Sequence, residues 1–203
     1  MKKTIITIGR EFGSGGKEIG KKLSEALDIE FYDKELLEHT AKESGLCEEI
    51  LKHHDEKRTA SFLYSLVLEP YNAVIAGSPY SDMPIDQKVF LAQYDTIKKL
   101  AENGSGIFVG RCADYVLADN DNVLSVFIHA DNDFKLKRIM ERYELSERKA
   151  MDLIVRKNKQ RANFYNYYTS KKWGSAKSYD ICIDSSKFGI DGTVEMIKNA
   201  IEV

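Results

Sequence analysis

Thr4-Ile5-Ile6-Thr7-Ile8-Gly9-Arg10-Glu11-Phe12-Gly13-Ser14-Gly15-Gly16-Lys17-Glu18-Ile19-Gly20 is the stretch that decides the fold. The β-branched run Thr4–Ile8 predicts a buried strand. A glycine-rich turn follows, Gly13 to Gly16, then Lys17. Beyond it Ile19, Leu23, Ala26 and Leu27 recur at helical spacing. Strand, glycine loop, lysine and helix, in that order, make a phosphate cradle. Backbone N–H groups converge on an anion where no side chains intervene. The helix N-terminus adds its positive dipole, and Lys17 supplies a mobile charge for the outer phosphates. Two positions depart from the usual phosphate-loop pattern. Glu11 stands where a glycine is expected, and Glu18 where a Ser or Thr holds magnesium.

Working outward, four more strands are predicted at Glu30–Tyr32, Ile107–Val109, Leu124–His129 and Asp180–Asp184, alternating with helical stretches. Such alternation predicts a parallel sheet with helices on both faces. The last helix shows an apolar face of Ile190, Val194, Ile197 and Ile201. Gly77 to Pro84 is a loop-rich patch, expected to join helices near 59–76 and 86–102. The 203 residues, 43% of them hydrophobic, suit one α/β domain with inserted segments. No apolar run approaches membrane-spanning length. The three cysteines, Cys47, Cys112 and Cys182, have no CxxC spacing and read as free thiols in a reducing compartment. A cytoplasmic location is the expectation.

The net charge of −2 is unevenly spread. Residues 133–172 carry twelve Lys or Arg against five acids, a local +7 that leaves −9 for the rest. Nucleic acid and membrane are not expected as partners from bulk charge. A helical basic segment after the fourth strand suits a lid that closes over phosphates and offsets charge during transfer. Arg138, Arg142 and Arg156 are its leading candidates. Asp33 ends the second strand, where ligands of parallel sheets gather. It reads equally as a site acid, holding magnesium or orienting an acceptor hydroxyl, and as the N-cap of a helix starting at Lys34. Glu18 is a second candidate metal ligand, acting through water. Arg111 is expected to be exposed at the end of the third strand, where its fork could take two phosphate oxygens. The aromatics Phe164, Tyr165, Tyr167, Tyr168 and Trp173 are expected mostly to pack a helix onto the core.

The loop Gly-Arg-Glu-Phe-Gly-Ser-Gly-Gly-Lys-Glu, the segment Gly-Ile-Phe-Val-Gly-Arg-Cys-Ala-Asp (106–114), the helix Lys-Gln-Arg-Ala-Asn-Phe-Tyr-Asn-Tyr-Tyr-Thr (159–169) and the stretch from Tyr179 to Val194 together resemble the cytidylate-kinase-like family of P-loop kinases, in its divergent branch. The resemblance runs from Thr4 to about Ile201. It implies a three-layer P-loop kinase fold over residues 1–203, with a five-stranded parallel sheet flanked by helices. An acceptor-binding region of about 33–100 and a helical lid of about 133–172 would be its insertions. It also implies ATP as donor, Mg2+, and a small phosphate acceptor, most often a nucleoside monophosphate such as CMP or dCMP. By position, Lys17 and the Gly13, Ser14, Gly15 and Gly16 amides would hold the ATP phosphates. Arg111 and Arg161 would grip the acceptor's phosphate. Cys112 replaces the acid of a Gly-Arg-Asp motif, and Asn163 and aromatics replace the acids after the lid arginine. Two alternatives stand beside this one. The first is a kinase of a small hydroxyl substrate, shikimate- or sugar-like, with Asp33 as base. The second is a catalytically weak nucleotide-binding regulator.

Overall fold

The computed structural model describes residues 3–33 and 84–201. Five strands form one sheet: β1 (Ile5–Arg10), β2 (Glu30–Tyr32), β3 (Gly106–Val109), β4 (Val123–His129) and β5 (Ile181–Asp184). Their order is β2-β3-β1-β4-β5, and every pair is parallel. The described helices are α1 (Gly16–Leu27), α2 (Ile85–Asn103), α3 (Ala113–Val116), α4 (Asn132–Tyr143), α5 (Glu147–Thr169) and α6 (Ser185–Ile201, broken at Gly189). The helix expected near 86–102 is α2. The one expected near 59–76 lies outside the described residues, as does Cys47.

Successive strand residues point to opposite faces, and both faces are covered. Ile6 and Ile8 of β1, Ile107 and Val109 of β3, and Val126 and Ile128 of β4 meet Ile19 and Leu23 of α1 and Val194 and Ile197 of α6. Ile5 and Phe108 point the other way, onto Ile97 and Ala101 of α2 and Ala113 and Val116 of α3. Helix, sheet, helix is therefore the layering. Each fully buried isoleucine contributes roughly 1.5–3 kcal/mol by leaving water. The apolar face expected on the last helix is the one α6 buries.

The predicted strand Thr4–Ile8 ends too early. β1 continues to Arg10 because β4 is long enough to pair with it up to Arg10↔Ile128. Gly9 permits this extension, since a Cβ there would lie 2.8 Å from the Phe127 ring. The extra two residues carry Arg10 to the carboxyl end of the central strand. The carboxyl ends of all five strands lie at that edge, which is where open parallel sheets bind ligands. No described helix is long and apolar enough to cross a membrane.

Candidate active site

The loop between β1 and α1 is set by two backbone demands. Gly15 has φ +81°, and a Cβ there would lie 2.3 Å from Ile190 Cδ1. Only glycine meets both conditions without backbone strain and a shift of the Ile190 side chain. Gly15 is also the N-cap of α1, and no side chain caps that end. The first amides of α1 therefore have no intrahelical acceptor and point into the cleft. Ser14 is buried, its hydroxyl donating to the Glu11 carbonyl at 2.9 Å. The buried Ser185 hydroxyl donates to the Ser14 carbonyl at 2.7 Å, tying the loop to the end of β5.

A cleft of about 570 Å³ opens on this loop. Its walls include Gly13, Gly15, Gly16, Lys17, Glu18, Asp33, Arg138, Arg142 and Arg161. The structure thus gathers most of the residues expected from sequence. Arg156 is not among them; it is exposed on α5 and does not line this cleft. Lys17 Nζ lies 2.7 Å from Asp33 Oδ2, and Arg10 Nη2 lies 4.0 Å from Asp33 Oδ1. Burial of Asp33 raises its pKa, but Arg10, a hydrogen bond from Lys17, and Arg111 outweigh it and hold the carboxyl below its ordinary 3.8. The expected helix from Lys34, which Asp33 would cap, falls outside the described residues.

The two departures from the phosphate-loop pattern find a common explanation. Glu11 Oε2 accepts from Lys135 Nζ at 2.7 Å, and Glu18 Oε2 accepts from Arg138 Nη2 at 2.6 Å. Lys135 and Arg138 are three residues apart on α4, so they share one face. The loop glutamates therefore hold the first helix of the basic segment against the phosphate loop. α5 grips the same loop: Asn158 Oδ1 accepts from the Phe12 amide at 2.7 Å, and Arg161 Nη1 donates to the Arg10 carbonyl at 3.1 Å. Arg142 is exposed near the α4–α5 turn and reaches the cleft wall. Sequence reading missed Arg10, Glu11 and Lys135. The signal was available in the glutamates at pattern positions 11 and 18 and the bases at 135 and 138.

A second, smaller cavity of about 30 Å³ adjoins the first. Arg10, Arg111 and Arg161 line it, with Asp114, Tyr165, Tyr179 and Trp173 behind them. The expectation that Arg111 is exposed is corrected here: it is only 8% exposed. The cause is the turn after β3, where Gly110, Arg111 and Cys112 have φ of +79°, +58° and +56°. Two consecutive non-glycine residues in that region store strain, which the surroundings must hold. At the back, the Tyr165 hydroxyl donates to Asp114 Oδ2 at 2.6 Å. Burial raises the Asp114 carboxyl above its ordinary range, against the Tyr165 hydrogen bond and the Lys171 charge. Burial likewise pushes the Cys112 thiol up. Cys182 is exposed, so of the two described cysteines only Cys112 fills the core. The aromatics behave largely as expected. Phe90 stacks on Tyr168 at 4.0 Å and Trp173 meets Phe127 edge-on, while Tyr165 joins the cavity wall.

Comparison with known proteins follows the same lines. The family model described as the cytidylate kinase-like family matches residues 5–187. The cytidylate kinase of Methanococcus vannielii is 26% identical over 200 residues, covering 98% of this chain and 99% of that one. That of Methanothrix thermoacetophila is 26% identical over 198 residues, covering 97% of each. Among solved structures, an uncharacterized protein from Eubacterium ventriosum is 35% identical with a TM-score of 0.73, covering 98% of both chains. A shikimate kinase from Bacteroides thetaiotaomicron has a TM-score of 0.55 at 14% identity, covering 98% of this chain and 99% of that one, a likeness of fold alone. With a phosphate loop on a sheet ordered β2-β3-β1-β4-β5 and a match along nearly its whole length, the chain is a P-loop kinase that belongs to the cytidylate kinase-like family.

Proposed function

We propose that the protein transfers a phosphoryl group from ATP to a small acceptor that itself carries a phosphate, a nucleoside monophosphate of the CMP or dCMP type. One observation carries the acceptor class. Arg111, after β3, and Arg161, on α5, line one small cavity beside the phosphate loop. Guanidiniums brought to one cavity from separate elements suit a terminal phosphate, whose oxygens take paired donors. The relatives named cytidylate kinase support the nucleotide. A reaction on ATP and free monophosphates belongs in the cytoplasm, where both are held.

In this reading Lys17 leaves Asp33 for the outer phosphates of ATP, while the α1 amides hold the inner ones. Arg138 exchanges Glu18 for the transferring group, and Arg142 follows as the α4–α5 turn closes, while Arg156, off the cleft wall, takes no part. Arg111 and Arg161 fix the acceptor phosphate so that its oxygen lies in line with the bond to be broken. Positioning and charge neutralisation then carry the reaction. The acceptor's phosphate oxygen is the nucleophile, so no strong base is needed. Magnesium, when bound, would offset the charge of the phosphates. The hard carboxylate oxygens of Asp33 and Glu18, both on the cleft wall, fit that ion directly or through water.

Asp33 also weighs against the hydroxyl-acceptor alternative. A carboxyl held below its ordinary value is a weak base for an alcohol. The test is ADP release from ATP and magnesium with a panel of nucleoside monophosphates and small hydroxy acids, for the wild type and Asp33→Asn. The expected result is turnover with a monophosphate, part of which survives the substitution. Turnover with a hydroxy acid, abolished by Asp33→Asn, would favour the hydroxyl kinase. ATP binding without ADP release across the panel would favour the regulator.

A further inference from the structure

Arg10 has no role in the phosphate-loop pattern, yet its side chain is only 12% exposed and lines both the cleft and the smaller cavity. Its placement is built by three neighbours. Gly110 leaves room for it, since a Cβ there would lie 1.9 Å from Arg10 Nη1. The same turn carries Arg111. Asp33 faces Arg10 across 4.0 Å. Among the side chains lining the small cavity, the charged ones are Arg10, Arg111, Arg161 and Asp114. With Asp33 against Arg10, three guanidiniums face two carboxylates in a largely buried space. Paired N–H donors brought from β1, from the turn after β3 and from α5 suit the several oxygens of a phosphomonoester, and a lone hydroxyl cannot use them.

We propose that Arg10 is a third ligand of the acceptor's phosphate, beside Arg111 and Arg161, and that Asp33 is the carboxylate that keeps Arg10 aimed at the cavity until that phosphate arrives. The assignment rests on the reading of the cleft as a site for a phosphorylated acceptor. It places the acceptor phosphate between the end of β1 and the turn after β3, adjoining the donor loop. The first residue after the apolar run of β1 then serves the acceptor, while the loop that follows it serves the donor. It also gives Asp33 a positioning role, in which the carboxylate competes with the incoming phosphate for Arg10 and Lys17.

Titration calorimetry on the full-length protein tests this with three probes: inorganic phosphate, CMP and a non-hydrolysable ATP analogue. Arg10→Gln should weaken phosphate and CMP by about ten- to a hundredfold, the loss of one charge-assisted paired contact, and move the ATP analogue by less than about threefold. Phosphate also suits the donor loop, so the phosphate loss is measured again in a Lys17→Ala background, where it should persist. Arg10→Lys, which keeps the charge without the fork, should still lose about tenfold and serves if the glutamine variant does not fold. Asp33→Asn should tighten phosphate several-fold, because a competing negative charge is gone. The proposal is overturned if the wild type binds no phosphate, if Arg10→Gln weakens the ATP analogue and spares CMP, or if it changes only the thermal midpoint. It is overturned as well if Asp33→Asn fails to tighten phosphate. Should CMP not bind while phosphate binds and responds to Arg10→Gln, the nucleotide reading falls and the Arg10 assignment stands.

Discussion

The side of the cleft proposed for the donor and the side proposed for the acceptor hold their positive charges in opposite ways. On the donor side Lys17 is 55% exposed and Arg138 30% exposed, and each rests on a carboxylate, Asp33 and Glu18. On the acceptor side Arg111 is buried and set on a strained turn, and Arg10 is packed on the glycine of that turn. Exposed, paired bases can exchange one anion for another at little cost, because water screens both states. Buried bases on rigid backbone cannot move far and are aimed before any ligand arrives. In the proposed reading, the difference makes this cleft preorganised for the acceptor and adjustable for the donor.

The largest expected effect breaks the donor half. Lys17→Ala should lower turnover by about a hundredfold or more, since a charge aimed at the transferring group is lost. Steady-state ADP release at saturating acceptor checks it. A loss under about threefold would mean that the loop amides suffice. Next comes the acceptor half. Arg111→Lys keeps the charge and loses the fork, at a cost of roughly 1.5–3 kcal/mol in apparent acceptor binding. The acceptor KM should rise about ten- to a hundredfold while the ATP KM stays put. A change in thermal midpoint alone would make Arg111 a structural ion-pair partner.

A smaller effect sharpens the contrast. Glu18→Gln should free Arg138 and raise affinity for an ATP analogue by no more than a few-fold, because the pair is half exposed and worth under about 1 kcal/mol. The gain should shrink in high salt. A loss of magnesium-dependent affinity instead would assign Glu18 to the metal.

The smallest effect is in pH, where the two halves carry opposite signs. Asp33 has a folded pKa below its ordinary 3.8. Its contribution to stability is full above that value and lost as pH falls through the lowered one. Asp114 has a folded pKa above 3.8, so folding favours its protonated form. Stability from that group is greatest below 3.8 and declines as pH rises toward the raised value. Denaturant titrations across the acidic range should show Asp33→Asn removing an acid-side loss and Asp114→Asn removing a loss on the way up. The same sign for both would contradict the assigned environments.

Much of this was legible in the sequence, and the reasons are physical. Short β-branched runs and a glycine turn before Lys17 are local signals, and they placed five strands to within two residues. The strand order is a long-range property that no local signal carries, and it was read from the structure alone. The roles of Glu11 and Glu18 were hidden because Lys135 and Arg138, which donate to them, lie 124 and 120 residues away. Arg111 looked exposed because a strand end usually is. The Gly110–Cys112 turn folds it inward, and positive φ at Arg111 and Cys112 leaves no mark on composition. Arg10 was read as loop when it closes a strand, since the pairing with Ile128 depends on the length of β4.

The central claim is the division of the cleft into a donor half and an acceptor half. Calorimetry with an ATP analogue and with CMP, each titrated into wild type, Lys17→Ala and Arg111→Lys, tests it most directly. The account predicts a crossed pattern: Lys17→Ala weakens the analogue and leaves CMP within about threefold, and Arg111→Lys weakens CMP by about tenfold or more and leaves the analogue alone. Both substitutions weakening the same ligand, with the fold intact by circular dichroism, would contradict it.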